Sequence, residues 1–374
     1  MIITFFGMYT KNYARTSTLR EGLARFGITI REIHEEVPNE RMELPEDFTV
    51  GKTLHRMFRK LASFIRLVFR SFQIRGSKAI IVLHPGHLEL PLAYILAKMF
   101  RIPLLFDSSI SPYDTMFVGR AIAKRTSLKA KLVKFVESML LKLPDRIFVD
   151  TDGMGEFLSQ ELGVSKSKLF TVPLGANDAI YRPLYKKKRS KQVSVLFFGL
   201  YNSMHGAPTI LQAAKLLSNQ KHIRFTMLGD GYLKEDFIKY VKDNRLNNVR
   251  FVGFMPEEQL VKQIQAADIL LGVFSKSSLF ERVIPNKVFA ALACKKALIT
   301  ADRREVSSMF KNNTEVVLCS PEDPTSLAQA IMDLAGSSKK RERIAQAGYA
   351  QYLKIGTPES VAKIFLSKGL GVFL

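Results

Sequence analysis

The residues of this 374-residue chain best able to do chemistry sit in the run ERVIPNKVFAALAC, where Glu281, Arg282, Pro285, Asn286 and Lys287 lead into an apolar helix. A lysine at a helix start opposes the macrodipole unless it neutralises an anion bound there. Phosphate is the natural anion, with Arg282 as a second cation; a lysine that points to solvent is the competing reading. Three earlier segments share a strand, a break at Gly or Pro, and helical periodicity: VSVLFFGLYNSMHGAPTI, FTMLGDGYL and VRFVGFMPEEQL. In the first, Gly199 ends the strand and His205-Gly206 opens a helix whose free N–H groups suit a diphosphate. In the second, Gly229 and Gly231 flank Asp230 at a strand end. In the third, Gly253 and Phe254 follow a strand and Pro256 starts a helix. Singly these are βα turns; in series at one sheet edge they describe the rim of a pocket.

The first half offers a second set. Asp107 follows the strand that ends at Phe106, where a carboxylate stabilises positive charge at a reacting carbon, orients an acceptor, or merely caps the next loop. His84 and His87 flank Pro85-Gly86 at the preceding strand end; one is expected to face the crevice and the other to be a structural or surface histidine. Asp114 is a weaker candidate of the same kind. With Glu281 from the second half, Asp107 and His84 are the candidate catalytic groups. Gly7 to Arg15 forms the first βα loop, with Tyr9, Tyr13 and Arg15 able to reach a ligand; a simple solvated loop is the alternative.

The elements that must position these residues alternate. Strands are expected at 2–6, 29–33, 79–83, 103–106, 146–149 and 169–172, with helices at 15–26, 90–100, 128–142 and 155–162 and a long basic helix before residue 79. Such alternation predicts a parallel, doubly wound sheet. Pro183 and the run KKKRSK mark a linker, and the pattern resumes at Val193 and continues to about Tyr352. The segment from Thr357 is helical and able to return to the first half.

The net charge of +22 calls for an anionic partner. It is clustered: no acid lies between Asp47 and Glu89, nor from Thr115 to Val136. In the first of these stretches Leu54, Met57, Phe58, Leu61, Phe64, Ile65, Val68, Phe69 and Phe72 recur at helical spacing, beside Arg56, Arg59, Lys60 and Arg66. A cationic helix with a wide apolar face suits an anionic membrane surface; a core-facing stripe with a solvated basic face is the competing reading. No nucleic-acid-binding pattern accompanies the charge, so nucleic acid is not the expected partner. Cys294 and Cys319 set no disulfide framework, which favours a reducing compartment and core packing for both. No apolar run reaches the length of a membrane span, and MIITFFGMYT lacks a basic leader, so a cytoplasmic location is expected.

The order and spacing of these segments resemble the retaining glycosyltransferases of the GT-B fold, family four, also called glycosyltransferase group 1. IPNKVFAALACKKALIT resembles that family's donor-binding helix, VPLGANDAIYRP the segment closing its first domain, and HPGHLELPLAYILAKMFRIPLLFDSSIS its acceptor-side strand, helix and strand. The resemblance implies an α/β chain of two Rossmann-like doubly wound domains facing a central cleft, here residues 1–185 and 186–356, with 357–374 as a C-terminal helix. It implies a metal-independent, retaining hexosyltransferase without a cofactor, and the clustered basic charge places it as peripheral on the inner face of the membrane. Its substrates would be a nucleotide diphosphate sugar and a lipid-linked or glycan acceptor. The donor would meet Gly7, Tyr9, Gly199, His205, Gly229, Gly231, Phe254, Arg282, Asn286 and Lys287. Arg56, Arg59, Lys60, Phe64 and Arg66 would meet the membrane or acceptor. Departures from the family pattern are Leu200 and His205 where Arg and Lys are usual, Arg282 and Ala290 where a glutamate pair is usual, and Asp107 where His is common. They open a second reading, a degenerate GT-B protein that binds a nucleotide sugar or a partner chain.

Overall fold

The computed structural model describes residues 1–36, 50–120, 122–184 and 191–373, leaving out the side chains of 50–57. The Glu-rich loop before the basic helix, all of the KKKRSK run but its last residue, and the side chain of Arg56 lie outside the described residues. The chain divides into two compact units, residues 1–174 with 358–374, and residues 175–357.

The first unit runs β1 (Ile2–Met8), α1 (Ala14–Arg25), β2 (Thr29–Glu35), α2 (Val50–Arg70), β3 (Ile80–Val82), α3 (Leu90–Phe100), β4 (Leu104–Asp107), α4 (Leu128–Leu140), β5 (Arg146–Val149), α5 (Asp152–Leu162) and β6 (Leu169–Thr171). Its strands pair in parallel in the order β2-β1-β3-β4-β5-β6. β1 is buried from Ile3 onward on both faces, which is why IITFFGM reads as a continuous apolar run instead of alternating. The C-terminal helix Pro358–Phe365 belongs to this unit and packs on α1. Gly22 permits the contact, since a β-carbon there would overlap the Pro358 carbonyl. Phe365 is fully buried, edge-on to Phe148 at 5.2 Å, and burying such a ring contributes up to about 3 kcal/mol.

The second unit runs β7 (Val193–Leu200), α6 (Ala207–Leu216), β8 (Ile223–Asp230), α7 (Lys234–Asp243), β9 (Val249–Val252), α8 (Glu257–Ala266), β10 (Ile269–Leu271), α9 (Asn286–Ala293), β11 (Ala297–Ala301), α10 (Arg304–Met309), β12 (Val317–Cys319), α11 (Pro324–Ala335) and α12 (Ser338–Ile355). The sheet is parallel in the order β12-β11-β10-β7-β8-β9. Its core joins Val195, Phe197, Ile269 and Ile299 of the sheet to Ile210, Leu327 and Ile331 of α6 and α11.

The division between units falls after Leu174, not at residue 185 where the proline and lysine run placed it. Hydrogen bonds explain the earlier break. The Ala176 N–H donates to Gly356 O, the Tyr352 hydroxyl donates to Ala176 O, and the Tyr181 hydroxyl donates to Glu257. The segment VPLGANDAIYRP is thereby stitched to the second unit from its fourth residue on. Both cysteines are buried free thiols, and burial pushes each up to about 12. No helix among the described residues is long and apolar enough to cross a membrane.

Candidate functional site

In a doubly wound sheet ligands gather at the carboxyl ends of the strands, where the strand order reverses. In the second unit that point lies between β7 and β10, because β7 is followed outward by β8 and β9 while β10 returns on its other side. The segments that leave these two strands carry Gly199, His205, Ser275 and Lys287.

Lys287 is the second residue of α9, after Pro285 as N-cap. Its side chain runs into the protein and is only 6% exposed. The ammonium has no hydrogen-bond partner among the described residues and rests 4.1 Å from the centre of the Phe197 ring. Burial lowers its pKa to about 7. An unpaired buried ammonium is costly and its cation–π contact offsets only part of that cost. The site therefore has an unmet demand for an anion. Gly199, at φ +142°, provides the space, since a β-carbon there would stand 2.8 Å from the Lys287 Nζ.

His205 lies beside this lysine. Its Nδ1 donates to Leu200 O at 2.9 Å, because a carbonyl can only accept. Burial, followed by the charge of Lys287, lowers its pKa to about 3. The imidazole is neutral near pH 7, so Lys287 and not His205 brings the charge.

The other candidates in this unit fall out differently. Gly229 and Gly231 serve strand packing: β-carbons on them would overlap the carbonyls of Gly199 and Tyr201 on β7 and just beyond it. Phe254 is exposed at the end of the edge strand β9, two strands from β7. Asn286 is exposed and Arg282 half-buried. Glu281 is no free acid. Its carboxylate accepts from the buried Arg303 guanidinium and, at 3.2 Å, from the Arg304 N–H. Arg303 also donates to Ser275 O, so it ties the loop after β10 to the end of β11. Sequence reasoning missed Arg303, although it too follows a strand end, in ITADRREV. Ala290, at the family's second glutamate position, is buried in α9.

In the first unit the order reverses between β1 and β3. Gly7, at φ +122°, ends β1 there, with Glu89 packed on it; a β-carbon at Gly7 would lie 3.4 Å from the Glu89 Cγ. Glu89, the N-cap residue of α3, accepts from the Met8 N–H at 3.2 Å and is 3% exposed. Burial raises its pKa. In the sequence this acid gives no signal of its own, since the histidines of HPGHLELP are the residues there with an evident chemical role. Of these, His87 is the structural one, buried edge-on to Phe106 and 3.7 Å from Glu137. His84 is half-buried beside the Tyr13 ring, at 6.2 Å.

Four expectations for this unit are corrected. Asp107 is completely buried, accepts from both the Ser109 N–H and hydroxyl, and pairs with Arg15 at 3.4 Å. Arg15 is buried as well, and donates to Val172 O and Val149 O while its guanidinium stacks 5.0 Å from the Phe148 ring. Together they clamp the ends of β4, β5 and β6 and do not meet solvent. Tyr9 is fully buried in the core of this unit, its ring 4.3 Å from that of His34. Asp114 is buried too.

The basic helix does bring nominated residues together. Arg59, Lys60 and Arg66 line a pocket of about 330 Å³ with Met8, Ser63, Glu35 and Glu36, at the carboxyl ends of β1 and β2. Arg66 is held by Glu35 at 2.8 Å. Phe64 is half-buried.

Comparisons with known proteins agree with this architecture. Residues 185–351 match the family model of the group 1 glycosyl transferases. The spore coat protein SA of Bacillus subtilis is 25% identical over 227 residues, which are 53% of this chain and 58% of that relative. A sucrose-phosphate synthase from Thermosynechococcus elongatus superposes with a TM-score of 0.73 at 16% identity, over 100% of this chain and 99% of the other. The HepE protein of Anabaena, solved in complex with UDP, gives a TM-score of 0.70 at 14% identity over 100% of both chains. The chain thus has the GT-B fold, and the greater part of its second unit matches the family model of the group 1 glycosyl transferases.

Proposed function

We propose that the protein is a metal-independent glycosyltransferase that moves a sugar, with retained anomeric configuration, from a nucleotide diphosphate sugar to a lipid-linked or glycan acceptor at a membrane surface. The observation that carries this reading is the buried, unpaired Lys287 ammonium at the switch point of the second unit. A diphosphate placed there supplies the missing counter-charge and removes the desolvation penalty. A protein ammonium in that role makes a bridging metal ion unnecessary. The N–H groups at the start of α6 and α9 add a positive dipole of the same sign. Anabaena HepE has been solved with UDP and with UDP-glucose, which supports a uridine nucleotide as the first donor to try.

The departing phosphate serves as base for the acceptor hydroxyl in this reading. That fits a first unit in which Asp107 is locked to Arg15 and Glu89 is held toward its neutral form. The pocket lined by Arg59, Lys60 and Arg66 suits a phosphate on the acceptor. A cytoplasmic location, peripheral on the inner membrane face, follows from this choice of substrates.

The test is a thermal-shift panel of UDP, GDP, ADP and their common sugars on the wild type and on Lys287→Ala. Stabilisation by one nucleotide class, lost in the variant, supports the reading. No shift with any nucleotide would sink it and favour the degenerate GT-B protein to which Leu200 and Ala290 point.

A further inference from the structure

The stripe of α2 does not face the core. Among the described side chains of α2, Ser63 and Leu67 are buried, while the stripe residues Phe58, Leu61, Ile65 and Phe69 are exposed, Phe69 by 78%. The face they belong to is wider than one helix. From β2 to β3, from β3 to β4 and from β4 to β5 the chain steps in one direction across the sheet. Right-handed crossovers then place α2, α3 and α4 side by side on one face, opposite α1.

All three helices point large apolar side chains outward. Ile95 and Met99 of α3 and Leu132 and Phe135 of α4 are exposed, and Leu128 at the start of α4 reaches 83%. Isolated exposed apolar residues are ordinary, but a layer of them drawn from three adjacent helices marks an interaction surface.

The charge of this layer says what it meets. The acids between residues 50 and 142 are Glu89, Asp107, Asp114 and Glu137, and every one is at most 3% exposed. The same stretch exposes Arg59, Arg66, Lys98, Lys129 and Lys131. Among the described side chains, α2, α3 and α4 therefore expose bases and apolar groups but no acid of their own, and the acids beside them, Glu35, Asp145 and Glu161, are each paired with a base. Nucleic acid would use the cations but leave Leu, Ile and Met unsatisfied. A bilayer rich in anionic lipid uses both, because its headgroups attract the bases while apolar side chains enter the acyl boundary.

We infer that the three-helix face of α2, α3 and α4, and not α2 alone, docks the first unit flat on an anionic lipid bilayer. The inference deepens the membrane-surface part of the proposed function. It does not need the donor site, so the two can fail separately.

The experiment is co-sedimentation of the full chain with phosphatidylcholine vesicles, with and without phosphatidylglycerol. It uses the wild type and three surface pairs: Phe58→Ser/Phe69→Ser on α2, Leu132→Ser/Phe135→Ser on α4, and Lys129→Gln/Lys131→Gln. Wild type should bind only the anionic vesicles, and each pair should weaken binding about tenfold or more. All variants should keep the nucleotide thermal shift of the wild type, which also reports that they are folded. An α4 pair that binds like wild type overturns the three-helix face. So does a wild type that ignores anionic vesicles, or one that self-associates through this face in light scattering. Vesicle binding with no nucleotide shift in any protein would leave this inference standing and remove the glycosyltransferase reading instead.

Discussion

Gly199 at the end of β7 and Lys287 at the start of α9 share one small space, with only 2.8 Å between a β-carbon built on the glycine and the lysine Nζ. The glycine is there for its neighbour as much as for its own backbone, although φ +142° would also strain any other residue. Gly199→Ala should push the ammonium from its position over Phe197. The expected cost is about 1–3 kcal/mol of stability and about tenfold in nucleotide affinity. Denaturant unfolding and calorimetric titration would check both; an alanine variant with wild-type affinity would show that the two residues are not coupled.

Replacing the lysine should have opposite effects on stability and binding. Lys287→Met removes an unpaired buried charge, so the ligand-free variant should be more stable than wild type while losing the nucleotide shift. The sign of the pH dependence is fixed by the depressed pKa. Between about 7 and the unfolded value near 10.4 the unfolded chain holds a proton that the folded chain has lost, so wild-type stability from this group rises with pH. The penalty is complete below about 7 and amounts to about 4–5 kcal/mol at most. The gain from methionine should accordingly be larger at pH 6 than at pH 9. A variant less stable than wild type at pH 6 would contradict the unpaired ammonium.

The same titration should appear in binding. An anion beside Lys287 favours its charged form, so the bound pKa must lie above the free value of about 7. Below that value the free lysine is already protonated and affinity is flat. Above it, binding takes up a proton, and affinity should fall by up to about tenfold per pH unit until the bound pKa is reached. A nucleotide diphosphate sugar is the right probe, since its diphosphate does not titrate in this range. Titration calorimetry at pH 8 in buffers of different ionisation enthalpy would count the protons; no uptake would place the charge elsewhere.

What the residues told in advance, and what they did not, divides along burial. The strand–break–helix rhythm set out the parallel sheets, and the macrodipole argument singled out Lys287, because both depend on neighbours in the chain. Tyr9 follows β1, Arg15 lies in the first turn of α1 and Asp107 ends β4, and whether a residue at such an element end faces a ligand or the core depends on which distant elements cover it. Gly229 and Gly231 signal close contact without saying with what, and here the contact is the backbone of β7 and the residue just beyond it. Glu89 and Arg303 follow strand ends like the residues that were chosen, but a charged side chain in a short loop looks solvated until a fold closes over it. The stripe of α2 shows the same limit from the other side. Amphipathic spacing shows that a helix has two faces and leaves open which of them meets the core, and only the exposure of Phe58 and Phe69 decides it.

The Arg15–Asp107 pair separates a structural carboxylate from a catalytic one. The pair is closed off from solvent, and Arg15 spends two further nitrogens on the Val149 and Val172 carbonyls. Asp107→Ala leaves that guanidinium buried without a counter-charge, at a cost of about 3–5 kcal/mol. The double change Arg15→Met/Asp107→Leu should cost clearly less than the two singles together, since each single leaves a charge or a dipole unmatched. Denaturant unfolding of the four proteins gives the coupling. In an assay of the proposed glycosyl transfer the stable fraction of Asp107→Asn should retain its turnover, because the carboxylate is closed off from solvent against Arg15. A variant that folds normally yet loses turnover by about a hundredfold or more would instead mean that Asp107 is released from Arg15 during the reaction and acts on the substrate.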